Sequence, residues 1–321
     1  MSESNGRRYR LVTRSDFDGL VCAALLRQIE LVDDIKFVHP KDMQDGKVEI
    51  SGSDITTNLP YVENVHLAFD HHPSEELRVE GTPENWVMNG DALSTARVVY
   101  DHFGGADRFP QFGEEIMQAV DNADAARFSE DEIIEPTRWT LLSFLMDPRT
   151  GLGRFREFRI SNYQLMMELI DACTRLTIDE ILELPDVRER VELYREHESR
   201  AIEQIRRCST VHDTLVVLDL RDEEVIHPTN RFMVYALYPD CNSSIHVIWG
   251  LKKQNTVLAT GKSIIDRSSP TDVGELMLEY GGGGHRAAGT CQIDNDRVEN
   301  VLGEVIARIR ADETQAHGVA A

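Results

Sequence analysis

Up to about residue 125, short apolar runs alternate with helical ones, and that alternation leaves few architectures open. YRLVT, IKFVHP, KVEISGSDI and NVHLAF read as strands, while GLVCAALLRQIEL, DALSTARVVYDHF and GEEIMQAVDNA read as helices. Strands separated by helices pair in parallel, because a helical crossover brings the chain back to run the same way. The expected fold class is therefore α/β, with an amino-terminal doubly wound, mainly parallel sheet. Ligands of such sheets bind beyond the carboxyl ends of the strands.

The pattern then changes twice. The middle is helical: in PDVRERVELYREHESRAIEQIRRC, Val187, Val191, Tyr194, Ala201, Ile205 and Cys208 recur at helical spacing behind Pro185. This long charged helix reads as a connector. Beyond it, TLVVLDL, MVYALYP, SIHVIWG and TVLATGKSI read as strands, with helices at DVGELMLEY and DRVENVLGEVIARIRAD around the run GGGGHRAAG. The expected organisation is a domain over 1–135, a helical extension and connector over 136–210, and a smaller α/β domain over 211–321.

Charge narrows the partners. Thirty-four Lys and Arg against 56 Asp and Glu leave a net charge of −22, which opposes non-specific binding to duplex DNA or anionic lipid. No apolar run approaches the roughly 20 residues of a membrane helix, so no membrane partner is expected. The start, MSESNGRRYR, lacks the apolar core of a secretion signal. Five scattered cysteines without CxxC spacing argue against disulfides and thiolate zinc, and fit a reducing cytoplasm.

Against that acidic background, four segments put acids where strands or helices end. RSDFDGL carries Asp16 and Asp18, SDITTN carries Asp54, FDHHPS carries Asp70, His71 and His72, and DNADAAR carries Asp121 and Asp124. Singly, each is an ordinary helix cap, turn or solvated face. On the shared rim of a parallel sheet they would converge. Carboxylates that close raise one another's pKa unless a cation compensates. Oxygen donors with imidazole suit manganese or magnesium better than zinc, and two such ions could clamp a phosphoryl group for in-line attack.

RSDFDG, FDHHP and GGGGHRAAG, in that order and over nearly the whole chain, resemble the DHH phosphoesterase superfamily with its DHH-associated C-terminal domain. The nearest likeness is to exopolyphosphatase-related proteins. The resemblance implies that Asp16 binds a first metal and Asp18 a second, that Asp54 bridges them, and that His71 ligates the second. It implies that Asp70 orients the site and that His72 contacts phosphate or donates a proton to the leaving group. Asp124 is the preferred last ligand, with Asp121 the alternative. The implied cofactor is manganese, or else magnesium, as one or two ions. Gly283, Gly284 and His285 correspond to the superfamily's substrate loop, and Arg267 to its substrate-binding arginine.

The implied activity is hydrolysis of a phosphoanhydride or phosphodiester: polyphosphate, a short oligonucleotide or a nucleotide phosphate. A homodimer is compatible with the resemblance. One departure matters. Superfamily members usually carry histidine two residues before the first aspartate, and here the residue is Arg14. A guanidinium cannot ligate a metal, so either the first metal binds weakly or Arg14 replaces part of its charge by pairing with Asp16 or with a substrate phosphate. That keeps an alternative open, a phosphate- or nucleic-acid-binding protein with weak chemistry or none. In DPRTGLGRFREFRISNY, Arg149, Arg154, Arg156 and Arg159 interleave with Phe155 and Phe158. Such a segment either pairs with nearby acids or contacts a nucleic acid.

Overall fold

The computed structural model describes residues 8–76 and 78–319, so most of the stretch read as lacking a secretion signal lies outside the described residues. Two compact units emerge. One runs to Phe128 and resumes over Pro136–Arg195; the other comprises Ser129–Glu135 and the chain from Glu196 onward. The Pro185–Cys208 helix contributes to both. Val187, Tyr194, Ala201 and Ile205, picked out by their spacing, are all buried.

The first unit is built on five parallel strands: β1 (Tyr9–Arg14), β2 (Val32–Val38), β3 (Asp54–Thr57), β4 (Leu67–Asp70) and β5 (Trp86–Met88), in the order β2-β1-β3-β4-β5. Leu11, Val12, Ile55 and Phe69 are fully buried in it. The Phe17–Gln28 helix is buried continuously from Phe17 to Leu26. It packs against the helices Thr95–His102, Glu114–Asp124 and Asn162–Ala172, which explains a segment apolar on nearly every face. The α/β class with a parallel sheet is thus as expected.

KVEISG, however, is not a strand. The strand begins at Asp54, and its Thr56 and Thr57 are as buried as Ile55. Polar residues are tolerated there because the Thr57 hydroxyl donates to Thr13 Oγ1 at 2.7 Å, and the Thr13 hydroxyl to Thr57 O at 3.2 Å.

The second unit holds β6 (Ser209–His212), β7 (Leu215–Asp219), β8 (Ser243–Trp249), β9 (Thr256–Lys262), β10 (Gly283–His285) and β11 (Ala288–Ile293), in the order β10-β11-β9-β8-β7-β6. Only β7 and β8 pair in parallel. Val273, Leu276 and Met277 of one helix and Val298, Val301 and Val305 of another join Ile245, Val247 and Leu258 in its core. MVYALYP, read as a strand, is a short helix, Met233–Leu237; an apolar run of that length suits either state until its neighbours decide.

The glycine run also differs from expectation. It forms an antiparallel hairpin after the Val273–Glu279 helix rather than a loop leading into one. A Cβ on Gly282 would sit 2.1 Å from Thr290 O, and one on Gly284 2.3 Å from Ala288 O. A Cβ on Gly274, in the adjoining helix, would meet Gly284 O at 2.9 Å. Close backbone packing therefore demands glycine at these three positions, whereas a Cβ on Gly283 would meet nothing within 4 Å. Among the described residues, no helix is long and apolar enough to cross a membrane.

One strand residue makes this unit sensitive to acid. Burial pushes the His246 imidazole down to about 4, and the Arg231 charge acts in the same direction. The folded state resists the proton that the unfolded chain takes up near pH 6.5. This contribution is complete above pH 6.5 and is lost as pH falls toward 4, at most about 3 kcal/mol. Urea unfolding at a series of pH values should show a steeper loss in that window for the native chain than for His246→Gln. Parallel slopes would count against the assignment.

Candidate metal centre

The first acidic turn is shaped by Gly19. A Cβ there would lie 2.0 Å from Arg14 O and 2.8 Å from Thr13 Oγ1, so only glycine lets the helix start against the end of β1. Asp16 caps that helix, its Oδ1 accepting from Gly19 N at 3.0 Å. Asp18, 2% exposed, turns inward. Its oxygens accept from Ala96 N at 2.8 Å and Thr95 N at 3.1 Å, the free amides at the start of the Thr95–His102 helix.

β4 ends at Asp70, which organises both histidines. Its Oδ1 accepts from His71 N at 2.8 Å and faces His72 Nδ1 at 2.7 Å. His71 Nδ1 faces the Ala92 carbonyl at 3.1 Å. Those partners place a proton on each Nδ1 and leave the Nε2 lone pairs for other work, the tautomer a metal-ligating imidazole needs. His71 Nε2 lies 2.8 Å from Asp124 Oδ2, yet it is buried without an aligned hydrogen bond. His71, His72 and Asp124 each offer a ligand atom, and these atoms lie within 4.8 Å of one another. A buried nitrogen facing a carboxylate in this way fits a divalent cation between imidazole and oxygen donors.

The electrostatics agree. Burial pushes Asp18 up to about 7, and the Asp124 charge adds to the rise. Burial opposes a proton on His71, but contact with Asp124 and the charge of Asp18 outweigh it and raise the imidazole to about 9. Burial would raise Asp124 too, and His71 holds it below its ordinary value. The cluster offsets its buried negative charge with a proton on His71, a role a metal ion would take over.

The remaining candidates separate. Asp121, the alternative to Asp124, is committed elsewhere: it accepts from Ser94 Oγ at 2.6 Å and from Arg97 Nε and Nη2 at 3.0 and 2.7 Å. Asp54 does not join the site at all. It opens β3 in register with Arg10, at the amino end of the parallel sheet. There it accepts from Arg10 Nε at 2.6 Å and from Ser51 N and Oγ at 2.7 and 3.0 Å. The residue that follows the carboxyl end of β3 is Asn58, with φ 55° and 2% exposure. Its amide donates to Asp16 Oδ1 at 3.3 Å, while its Oδ1 is buried without a partner. The misplacement follows from reading KVEISG as the strand, which would end near Asp54.

We therefore expect Asp54→Asn to lower stability by about 1–3 kcal/mol, through the weakened contacts to Arg10 and Ser51, and to leave metal affinity unchanged. Isothermal titration with metal, beside urea unfolding, checks both. A tenfold loss of affinity would restore Asp54 to the site.

Arg14 Nε forms an ion pair with Asp16 Oδ2 at 2.9 Å. Arg149, not singled out from its arginine-rich segment by the sequence, is held by Asp147 through Nε at 2.7 Å, and its charge reaches Asp16 and Asp124. Other members of that segment pair locally. Arg159 bonds to buried Asp186, and Arg190 covers the Phe158 ring at 4.1 Å.

In the second unit, Ala288 beside the hairpin turn pairs with Gly261. Burial and the nearby charge of Arg286 lower the pKa of Lys262. The charges of Asp272, Asp312 and Glu313 act on Lys262 in the opposite direction, and its Nζ donates to Ser269 O at 3.0 Å. His285 and Arg267 flank that turn and the loop after β9, respectively.

A solved structure similar to the chain is a pGpG-specific phosphodiesterase, PggH, from Vibrio cholerae, with 61% identity and a TM-score of 0.83 over 95% of this chain and 100% of that one. This chain belongs to the DHH phosphoesterase superfamily. That is the class of metal-dependent phosphoesterases anticipated from RSDFDG, FDHHP and GGGGHRAAG. An exopolyphosphatase-related protein from Bacteroides fragilis shares the fold at 12% identity and a TM-score of 0.53, over 96% of this chain and 94% of that one. No protein-family model matches. A curated relative, an A-adding tRNA nucleotidyltransferase from Aquifex aeolicus, is 34% identical over 70 residues. That match spans 20% of this chain and only 8% of the relative.

Proposed function

We propose that the chain is a phosphodiesterase that hydrolyses the linear dinucleotide pGpG, using manganese held by His71, Asp124 and Asp18. The observation that carries this reading is the 61% identity to the pGpG-specific enzyme across 95% of the chain and all of that protein. Mixed imidazole and carboxylate donors without a thiolate support manganese.

When bound, the ion would polarise the phosphoryl group and activate the attacking water. The chain's own groups do the rest. Asp18 and Asp124 balance the charge of the centre, and Ala92 O aims His71. Asp70 orients His72 and favours its charged form, so that Nε2 can give a proton to the departing 3′-oxygen. Water adds to phosphorus as the P–O3′ bond breaks, and one pGpG becomes two pG. Arg14 and Arg149 supply positive charge beside Asp16, where phosphate oxygens gain negative charge. Arg267 and His285 remain substrate contacts in this reading.

The test is a substrate panel with added manganese or magnesium: pGpG, pApA, a longer oligonucleotide and polyphosphate. Hydrolysis of pGpG to pG should exceed the others by at least about tenfold in kcat/KM. Faster release of phosphate from polyphosphate than of pG from pGpG would overturn the reading.

A further inference from the structure

The two acids of the first turn are in different situations, and the difference bears on how many ions the site takes. Asp18 meets only backbone amides and the Cys22 thiol, and its charge acts on His71 and Asp124. Asp16 is paired with a fixed cation of the chain itself. Its Oδ1 accepts from Gly19 N and from the Asn58 amide, and its Oδ2 lies 2.9 Å from Arg14 Nε as an ion pair. Beside it stands Asn58, whose carboxamide carries no charge and could not balance an additional dication. A second ion drawing on Asp16 would have to displace Arg14 or sit against a fixed positive charge that cannot be titrated away.

We infer that the centre holds one divalent ion, at the cluster of His71 and Asp124, and that the Arg14 guanidinium occupies the place of a second cation. The inference rests on the phosphodiesterase reading for its chemistry but not for its ion count. Arg14 is tethered to Asp16 through an Nε–Oδ2 contact of 2.9 Å. Charge-assisted bonds from such a fork match a phosphate oxygen pair. The arrangement trades an exchangeable ion for a permanent charge, so turnover should saturate with the filling of a single site.

The experiment counts manganese in the purified full-length chain by native mass spectrometry and by electron paramagnetic resonance titration. One ion per chain, with an uncoupled six-line spectrum at excess metal, is expected. Arg14→Ala should still bind one ion with unchanged affinity and an unchanged unfolding midpoint, while kcat on pGpG falls roughly 10²-fold with KM altered far less. Two ions with a spin-coupled spectrum in the native chain would overturn the inference. So would an Arg14→Ala variant with native kcat, or one whose loss of activity tracks loss of manganese. A chain that binds one ion but ignores pGpG would defeat the substrate reading and leave the count standing.

Discussion

Replacing His71 by alanine is expected to lower kcat/KM on pGpG by about 10³-fold or more and to weaken manganese binding at least about 100-fold. The scale follows from metal sites in general, where losing a residue that merely orients a ligand already costs 10–100-fold. Here the ligand itself would go. His71 Nε2 is the buried nitrogen left without an aligned partner, 2.8 Å from Asp124 Oδ2. Without the imidazole, the charges of Asp18 and Asp124 act on each other with no proton on His71 to offset them. The fold should survive, because the one side-chain hydrogen bond that anchors the ring is to Ala92 O. Metal titration, steady-state kinetics and a thermal melt on the same preparation separate these effects. Activity within tenfold of native at saturating manganese would remove His71 from the centre.

A comparable effect on stability is expected at a residue outside the chemistry. Arg190 is fully buried. Its Nη1 donates to Asp186 O and its Nη2 to Ile160 O, both at 2.8 Å, and Asn162 Oδ1 accepts from the same fork at 3.1 and 3.2 Å. The guanidinium also lies over Phe158. Arg190→Ala would leave two carbonyls and an amide oxygen without these donors, at about 1–3 kcal/mol for each buried group that finds no water. The expected total is about 3–5 kcal/mol by urea unfolding, with kcat unchanged below the transition. Lysine could reach one acceptor but not three in one plane, so Arg190→Lys should fall between. A loss under about 1 kcal/mol for the alanine variant would mean that water enters and satisfies the exposed groups.

Much of the architecture could be read from local signals. β1 and the helix after it were legible because YRLVT and GLVCAALLRQIEL are apolar with little ambiguity, and because Asp16 is a conventional cap. FDHHP was legible because proline ends the strand and leaves the acid and both imidazoles at its tip. Arg190 was not legible. An arginine in a highly charged helix reads as solvated, and only the packing of Phe158 and the Asn162 segment closes over it.

The same distinction runs through the centre. The inventory of acids, the two histidines and the arginine two residues before Asp16 stand in the sequence, since residue identity needs no fold. Which end of β3 faces the site does not. DITT takes its place in the sheet because β1 and β4 pair with it on both sides, and its buried threonines answer one another across the sheet. That pairing sends Asp54 to the amino end with Arg10 and brings Asn58 to the carboxyl end. Likewise, only helix packing distinguishes Asp124, turned to His71, from Asp121, taken by Ser94 and Arg97. Composition and order of residues determined the kind of chemistry; the contacts between distant segments decided which carboxylate stands beside His71, because charge and hydrogen bonding act through space rather than along the chain.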